Sequence, residues 1–173
     1  MNARPAAATH GIRAARPDDF PAIRALLVAH GLPADDVTAG DAKRFYVATA
    51  SDDTPIGCAA IEPYGADALL RSVAVATNAQ RMGLGAALVG HAQQEAERCG
   101  AHRLFLLTTS ASGYFADMGY RVVSRSDAPV RVRSSAQFAS LCPASAVCMM
   151  KALGTDGAAM TNRPSGRGPG SPA

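Results

Sequence analysis

Gln80-Arg81-Met82-Gly83-Leu84-Gly85-Ala86 stands between a strand-like run, Ala68 to Ala76, and a helical run, Leu84 to Cys99. In that helical run, apolar or small residues recur at Leu84, Leu88, Ala92, Ala96 and Cys99. Gln93, Gln94, Glu97 and Arg98 fall on the outside, and Gly100 stops the pattern. A helix N-terminus leaves unpaired N–H groups and the positive end of a dipole, so a glycine-rich entry to it suits a phosphate. Gly83 and Gly85 place no side chain between backbone and ligand, and Arg81 adds a full positive charge beside them. No Lys-Ser or Lys-Thr follows, which excludes a Walker loop, and the spacing is not GxGxxG. Taken alone, two glycines also describe a connector without a ligand.

Working outward, Arg103 to Thr108 is a short apolar strand, so strand, loop, helix and strand make a crossover unit that requires a parallel pair. Upstream, Gly11 to Arg16 reads as a strand. Pro17-Asp18-Asp19 suits the first turn of a helix whose apolar face is Phe20, Ile23, Leu26 and Leu27, ending at Gly31. Asp41 to Ala50 and Pro55 to Tyr64 form a hairpin across Ser51-Asp52-Asp53-Thr54. Downstream come a short helix from Ser112 to Met118, a strand from Tyr120 to Ser124, an amphipathic helix over Val130 to Leu141, and a last apolar strand from Ala144 to Leu153. The class is α/β (α+β), with a mixed central β-sheet flanked by helices.

The chain has 173 residues, 48% hydrophobic and 18% charged, which predicts one domain, residues 10–153. Residues 1–9 read as a flexible arm. Residues 154–173, with five glycines and three prolines, read as a disordered tail. The net charge of +3 comes from scattered residues, 15 of the 17 basic ones arginine, and gives no reason to expect nucleic acid or membrane as a partner. The arginine bias, with abundant Ala and Gly, resembles GC-rich bacterial coding. No apolar signal segment and no run of about 20 apolar residues is present, so a cytoplasmic location is expected. Cys58, Cys99, Cys142 and Cys148 form no CxxC pair, and the histidines have no ligand spacing, so no metal is expected. The apolar C-terminal strand is a candidate surface for a homodimer.

Gln80, Gly83 and Gly85 resemble the [Gln/Arg]-x-x-Gly-x-[Gly/Ala] signature of the GNAT acetyltransferases. Ser72-Val73-Ala74-Val75 looks like that family's bulged central strand, and Tyr114-Phe115-Ala116-Asp117-Met118-Gly119-Tyr120 like its aromatic helix. The resemblance implies acetyl-CoA as cosubstrate, with its pyrophosphate on the amides of Gln80, Arg81, Met82, Gly83, Leu84, Gly85 and Ala86. Its pantetheine and thioester would lie along Val73, Ala74 and Val75. Within the superfamily, Ile61-Glu62-Pro63-Tyr64-Gly65, Leu70-Arg71-Ser72, Leu107-Thr108-Thr109 and Ala136 to Met149 are most similar to the arsenic-resistance N-acetyltransferases. The Leu-Arg-Ser and Leu-Thr-Thr pieces are also similar to amino-acid acetyltransferases of the N-acetylglutamate synthase type.

Acyl transfer to an amine needs a base, donors for the oxyanion and an acid for the thiolate. The family's usual glutamate position falls on Leu69, and its usual tyrosine position on Phe115, with Tyr114 about 100° around the helix. Glu62 is the alternative base, or else an exposed strand-end acid. Tyr114 is the alternative acid, with Tyr120 behind it, although aromatics on a short helix are also ordinary core residues. Strand alternation puts Leu69, Arg71 and Val73 on one face, which the resemblance turns toward the acceptor. Arg71 there would bind an anionic amino-acid-like acceptor, with Tyr64 as a weaker contact, or else form a structural ion pair. Cys142 and Cys148 are thiols for arsenic or simply apolar filler. The expected activity is N-acetylation of a small-molecule amine. A protein N-acetyltransferase and a non-catalytic CoA-binding sensor are the alternatives.

Overall fold

The computed structural model describes residues 10–40 and 43–154, so the arm at 1–9, the tail beyond Gly154 and the start of the hairpin at Asp41 lie outside the described residues. The strands are β1 (Gly11–Ala14), β2 (Arg44–Thr49), β3 (Pro55–Tyr64), β4 (Asp67–Val75), β5 (Arg103–Thr108), β6 (Arg121–Val122) and β7 (Val147–Ala152). The helices are α1 (Phe20–Ala29), α2 (Leu84–Arg98), α3 (Ser112–Asp117) and α4 (Val130–Arg133). One seven-stranded sheet runs β1-β2-β3-β4-β5-β7-β6. All neighbours are antiparallel except β4 and β5, the parallel pair that α2 joins. The fold is thus the mixed sheet with flanking helices that the crossover unit implies.

Alternation along the strands splits the core into two layers. Tyr46, Ala48, Ala59, Ile61, Ala68, Leu70, Leu104 and Leu106 pack under Leu84, Leu88, Ala92 and Ala96 of α2 and Phe115 of α3. On the opposite face, Val47, Cys58, Ala60 and Ala74 meet Ile23 and Leu27 of α1. Leu69, Phe105, Cys148 and Met150 meet Val132 of α4. Cys148 is therefore core filler, only 2% exposed. Met149 and Met150 of β7 are buried as well, the strand lying between β5 and β6.

The helix expected over residues 130–141 is broken. Ser134 Oγ donates to the Val130 carbonyl at 2.8 Å and Ser135 Oγ accepts from the Phe138 amide at 3.4 Å. Ser135 competes with the helical ladder for the Phe138 amide, whereas the Ser134 amide keeps its bond to the Val130 carbonyl at 2.9 Å. α4 ends at Arg133, and a wider π-type turn, Gln137–Leu141, follows.

The entry to α1 is fixed by Asp19, which accepts from the Arg16 amide at 2.7 Å and pairs with Arg13 Nη1 at 2.6 Å. The Arg13 hydrogen bond outweighs burial and holds the Asp19 carboxyl below the usual carboxylate range. A depressed native pKa contributes stability that is fully present above the unfolded value and is lost as pH falls through the native one. Asp36, described below, is shifted the same way. Thermal melts are therefore expected to lose midpoint as pH falls below about 4. Asp19→Asn and Asp36→Asn should each lower the neutral-pH midpoint and flatten that acid limb.

Candidate active site

β4 and β5 pair only from Asp67 to Leu69 against Arg103 to Phe105, and beyond that point they part. The cause is a bulge. The β3–β4 register shifts between Cys58 and Ala60, and Ser72 adopts φ +56°, a left-handed conformation that a non-glycine residue holds only under constraint. The extra residue reverses the alternation. Leu69 and Arg71 face the α1 and α4 side, but Val73 and Val75 pack with the α2 layer, and Ala74 takes the other face. The expectation that Leu69, Arg71 and Val73 share a face is therefore corrected. The same reversal leaves peptide groups around Val73 and Val75 on the open edge facing β5.

A cavity of about 1020 Å³ occupies this split, lined by Leu70 to Val75 on one wall and Leu106 to Ala111 on the other. One end is the glycine loop. Arg81 (φ +64°) and Gly83 (φ +77°) are both left-handed, and the first helical bond of α2 runs from the Ala87 amide to the Gly83 carbonyl at 3.0 Å. The amides of Leu84, Gly85 and Ala86 thus have no helical acceptor, which is the arrangement that holds phosphate. Gln80, Arg81, Gly83, Leu84, Gly85 and Ala86 line the cavity, and Met82 stands outside its lining, 54% exposed. Leu84 buries its side chain in the core and presents only backbone. Gln80 Nε2 donates to the Val75 carbonyl at 3.1 Å, tying the loop to the end of β4. A Cβ on Gly85 would lie 2.5 Å from the Tyr114 hydroxyl, so the loop and α3 approach as closely as a glycine allows.

Tyr114 lines the cavity, half exposed, while Phe115 is core, edge-on to Tyr120. Partial burial raises the Tyr114 pKa, keeping the phenol protonated at neutral pH. Tyr120 is also core, its hydroxyl accepting from Gln93 Nε2 at 3.0 Å, and burial pushes it up to about 12.

The far end of the cavity is built by His30 to Pro33 and Asp35, by Arg71, by Gln137, Ser140 and Leu141 of the π-type turn, and by Cys142 and Pro143 just after it. Arg71 is 4% exposed, and four of its five N–H groups have acceptors within the protein. Its Nη1 and Nη2 donate to Asp36 Oδ2 and Oδ1, both at 2.5 Å, Nη1 also to Glu62 Oε1 at 2.7 Å, and Nε to Ser72 Oγ at 3.2 Å. Burial works against the Asp36 carboxylate, yet the bonds and charge of Arg71, with Lys43 beyond, hold its pKa below the ordinary value. Arg71 is raised in turn, its two acids overcoming burial.

Glu62 is buried, not an exposed strand-end acid, and its other oxygen accepts from the Tyr64 hydroxyl at 2.5 Å. Burial first, and that bond second, push the Tyr64 pKa upward. Glu62 and Tyr64 line a separate pocket of about 390 Å³ with Lys43, Ser134 and Ser135, behind Arg71 as seen from the main cavity. Cys142 does reach the main cavity and donates from Sγ to Gln137 Oε1 at 2.9 Å. Asp35, Asp36 and Gln137, at or beside this end of the cavity, escaped sequence reading because nothing local marks them. No group of three metal-ligating side chains occurs among the described residues, and no helix there is long and apolar enough to cross a membrane.

A phosphate-type helix N-terminus opening into a split between parallel strands is the layout of a CoA-dependent acyltransferase. The chain belongs to the acetyltransferase (GNAT) family, whose model matches residues 12–120. No curated protein matches it by sequence. Among solved structures it is similar to Rv2747 from Mycobacterium tuberculosis in complex with CoA, with TM-score 0.71 and 26% identity over 83% of this chain and 99% of that one. It is also similar to N-acetylglutamate synthase from Neisseria gonorrhoeae complexed with coenzyme A and L-arginine, with TM-score 0.69 and 23% identity over 84% of this chain. Only 33% of the synthase is covered, so this chain spans about a third of that protein's length. A GNAT-family acetyltransferase from Staphylococcus aureus aligns over 84% of this chain and 99% of that one, with TM-score 0.65 and 12% identity.

Proposed function

We propose that this acetyltransferase moves the acetyl group of acetyl-CoA to the primary amine of a small amino-acid-like acceptor. The observation that carries this reading is the single cavity that runs from the glycine loop, through the β4–β5 split, to a wall bearing both Asp35 and Arg71. Asp35 on that wall suits the amine of the acceptor, while Arg71 is held by Asp36 and Glu62. The burial of Arg71 favours a pocket over the open groove that a protein substrate would need. The likeness to an N-acetylglutamate synthase supports an amino-acid acceptor. Arsenic-containing amino-acid analogues are the finer choice within that class, resting on the sequence resemblance of residues 61–65 and 136–149.

Bound acetyl-CoA supplies the acyl group. The loop from Gln80 to Ala86 holds its pyrophosphate, Arg81 adds charge, and the strand edge from Val73 to Val75 holds the pantetheine and donates to the oxyanion. The acceptor nitrogen forms the new N–C bond as the C–S bond breaks. Tyr114, protonated and in the cavity, returns a proton to the departing thiolate. The amine loses its proton to water or to Asp35, while Glu62 and Tyr64 act on the site through Arg71 rather than on the acceptor directly.

Thiol release from acetyl-CoA across a panel of amino acids, their arsenic-containing analogues, polyamines and peptides tests the reading. Turnover is expected with amino acids or their analogues, and slower turnover in Tyr114→Phe. CoA binding without turnover on any amine would instead establish the sensor.

A further inference from the structure

We propose that Arg71 is a positioning residue, which locks the loop between α1 and β2 onto the β4 bulge and so builds the acceptor wall without itself binding the acceptor. This rests on the reading of the cavity just given, and it changes the role that the sequence resemblance implies for Arg71 as the acceptor's anion site. Four of its five N–H groups are hydrogen-bonded to Asp36, Glu62 and Ser72. Asp36 takes one N–H from each terminal nitrogen, Glu62 takes the second from Nη1, and Ser72 takes Nε. Two carboxylates already offset the charge, and an acceptor carboxylate could pair bidentately across Nη1 and Nη2 only by displacing Asp36.

What the pair joins is more telling than its charge. Asp36 belongs to the loop whose neighbouring residues His30, Leu32, Pro33 and Asp35 form one wall of the cavity. On its other side that loop is seated by Val37, fully buried, with its carbonyl accepting from Arg24 Nε at 2.8 Å. Asp36 supplies its tie to the sheet. Ser72 is the left-handed residue of the bulge that parts β4 from β5, and its carbonyl accepts from Cys58 Sγ at 3.3 Å. Arg71 therefore connects the acceptor wall to the backbone feature that opens the acyl slot, and Glu62, braced by Tyr64, fixes the guanidinium from behind. A lysine cannot reproduce this, because a single ammonium lacks the planar fork that bridges Asp36 while reaching Glu62.

Two measurements on the full chain decide the matter. Hydrogen exchange by mass spectrometry needs no acceptor, so its outcome is separable from that of the proposed activity. In Arg71→Lys and Asp36→Asn, peptides covering 30–40 should exchange about tenfold faster, with α2 protection unchanged as the control for an intact fold. Steady-state kinetics then compare an accepted amino acid with its carboxamide. Displacement of the wall should lower kcat/KM by about 100-fold in Arg71→Lys, equally for acid and amide, since a small misplacement is felt by both. A loss confined to the carboxylate-bearing acceptor would make Arg71 the acceptor's anion site and overturn the proposal. Unchanged exchange over 30–40, or an Arg71→Lys enzyme with native kcat/KM, would overturn it too.

Discussion

Gly85→Asp should fold as well as the parent and lose acetyl-CoA binding by at least about 100-fold, roughly 2.7 kcal/mol. The two halves of that expectation come from the same position. Gly85 is the second residue of α2, where an acidic side chain complements the helix dipole and supports the helix. The only group that a new Cβ would press upon is the Tyr114 hydroxyl, the far end of a half-exposed side chain that can move. The helix itself therefore tolerates the change. The ligand does not, because the carboxylate occupies the opening beside the free amides of Leu84 to Ala86 and repels a pyrophosphate there. Isothermal titration with CoA alongside a thermal melt separates the effects, and undiminished CoA affinity would remove the loop from the cofactor site. Gly83→Pro is a coarser version of the same test. Gly83 sits at φ +77°, which a proline ring cannot adopt, so that variant distorts the loop as well as losing the ligand.

Such a position was legible because its signals are local. The helical period from Leu84 to Cys99, the glycines before it and the short strand after it each speak within about 20 residues, and together they demand a parallel pair with a helix between. The acceptor end is different. Arg71 is visible in the sequence, but its partner Asp36 lies 35 residues upstream in a loop without periodicity, and only the folded sheet brings the two to 2.5 Å. The bulge at Ser72 is equally silent. Strict alternation put Val73 beside Arg71, and one inserted residue moved it to the other face. In the segment 130–141 the apolar period was real but Ser135 carried more weight, since its hydroxyl offered the Phe138 amide an alternative to the helix. Long-range pairs and single-residue irregularities shape this end of the cavity, and neither has a local signature.

Leu88→Ala tests how the core and the cofactor loop are linked. Leu88 is fully buried where α2 crosses the sheet, and Gly57 of β3 lets it come so near that a Cβ there would stand 2.9 Å from Leu88 Cδ1. Truncation leaves a hole that neither the helix nor a glycine can fill, at a cost of about 3 kcal/mol. For a domain of this size that corresponds to a midpoint lowered by about 10 °C. Because the helix whose N-terminus we propose holds the pyrophosphate is the one loosened, and because CoA should bind only the folded chain, saturating CoA should restore most of the loss. At 100 times its Kd a ligand contributes about 2.7 kcal/mol, close to the deficit. Combining Leu88→Ala with Gly85→Asp should abolish that rescue while leaving the unliganded midpoint near that of Leu88→Ala alone. Full rescue by CoA in the double variant would mean that the cofactor is held somewhere other than the N-terminus of α2.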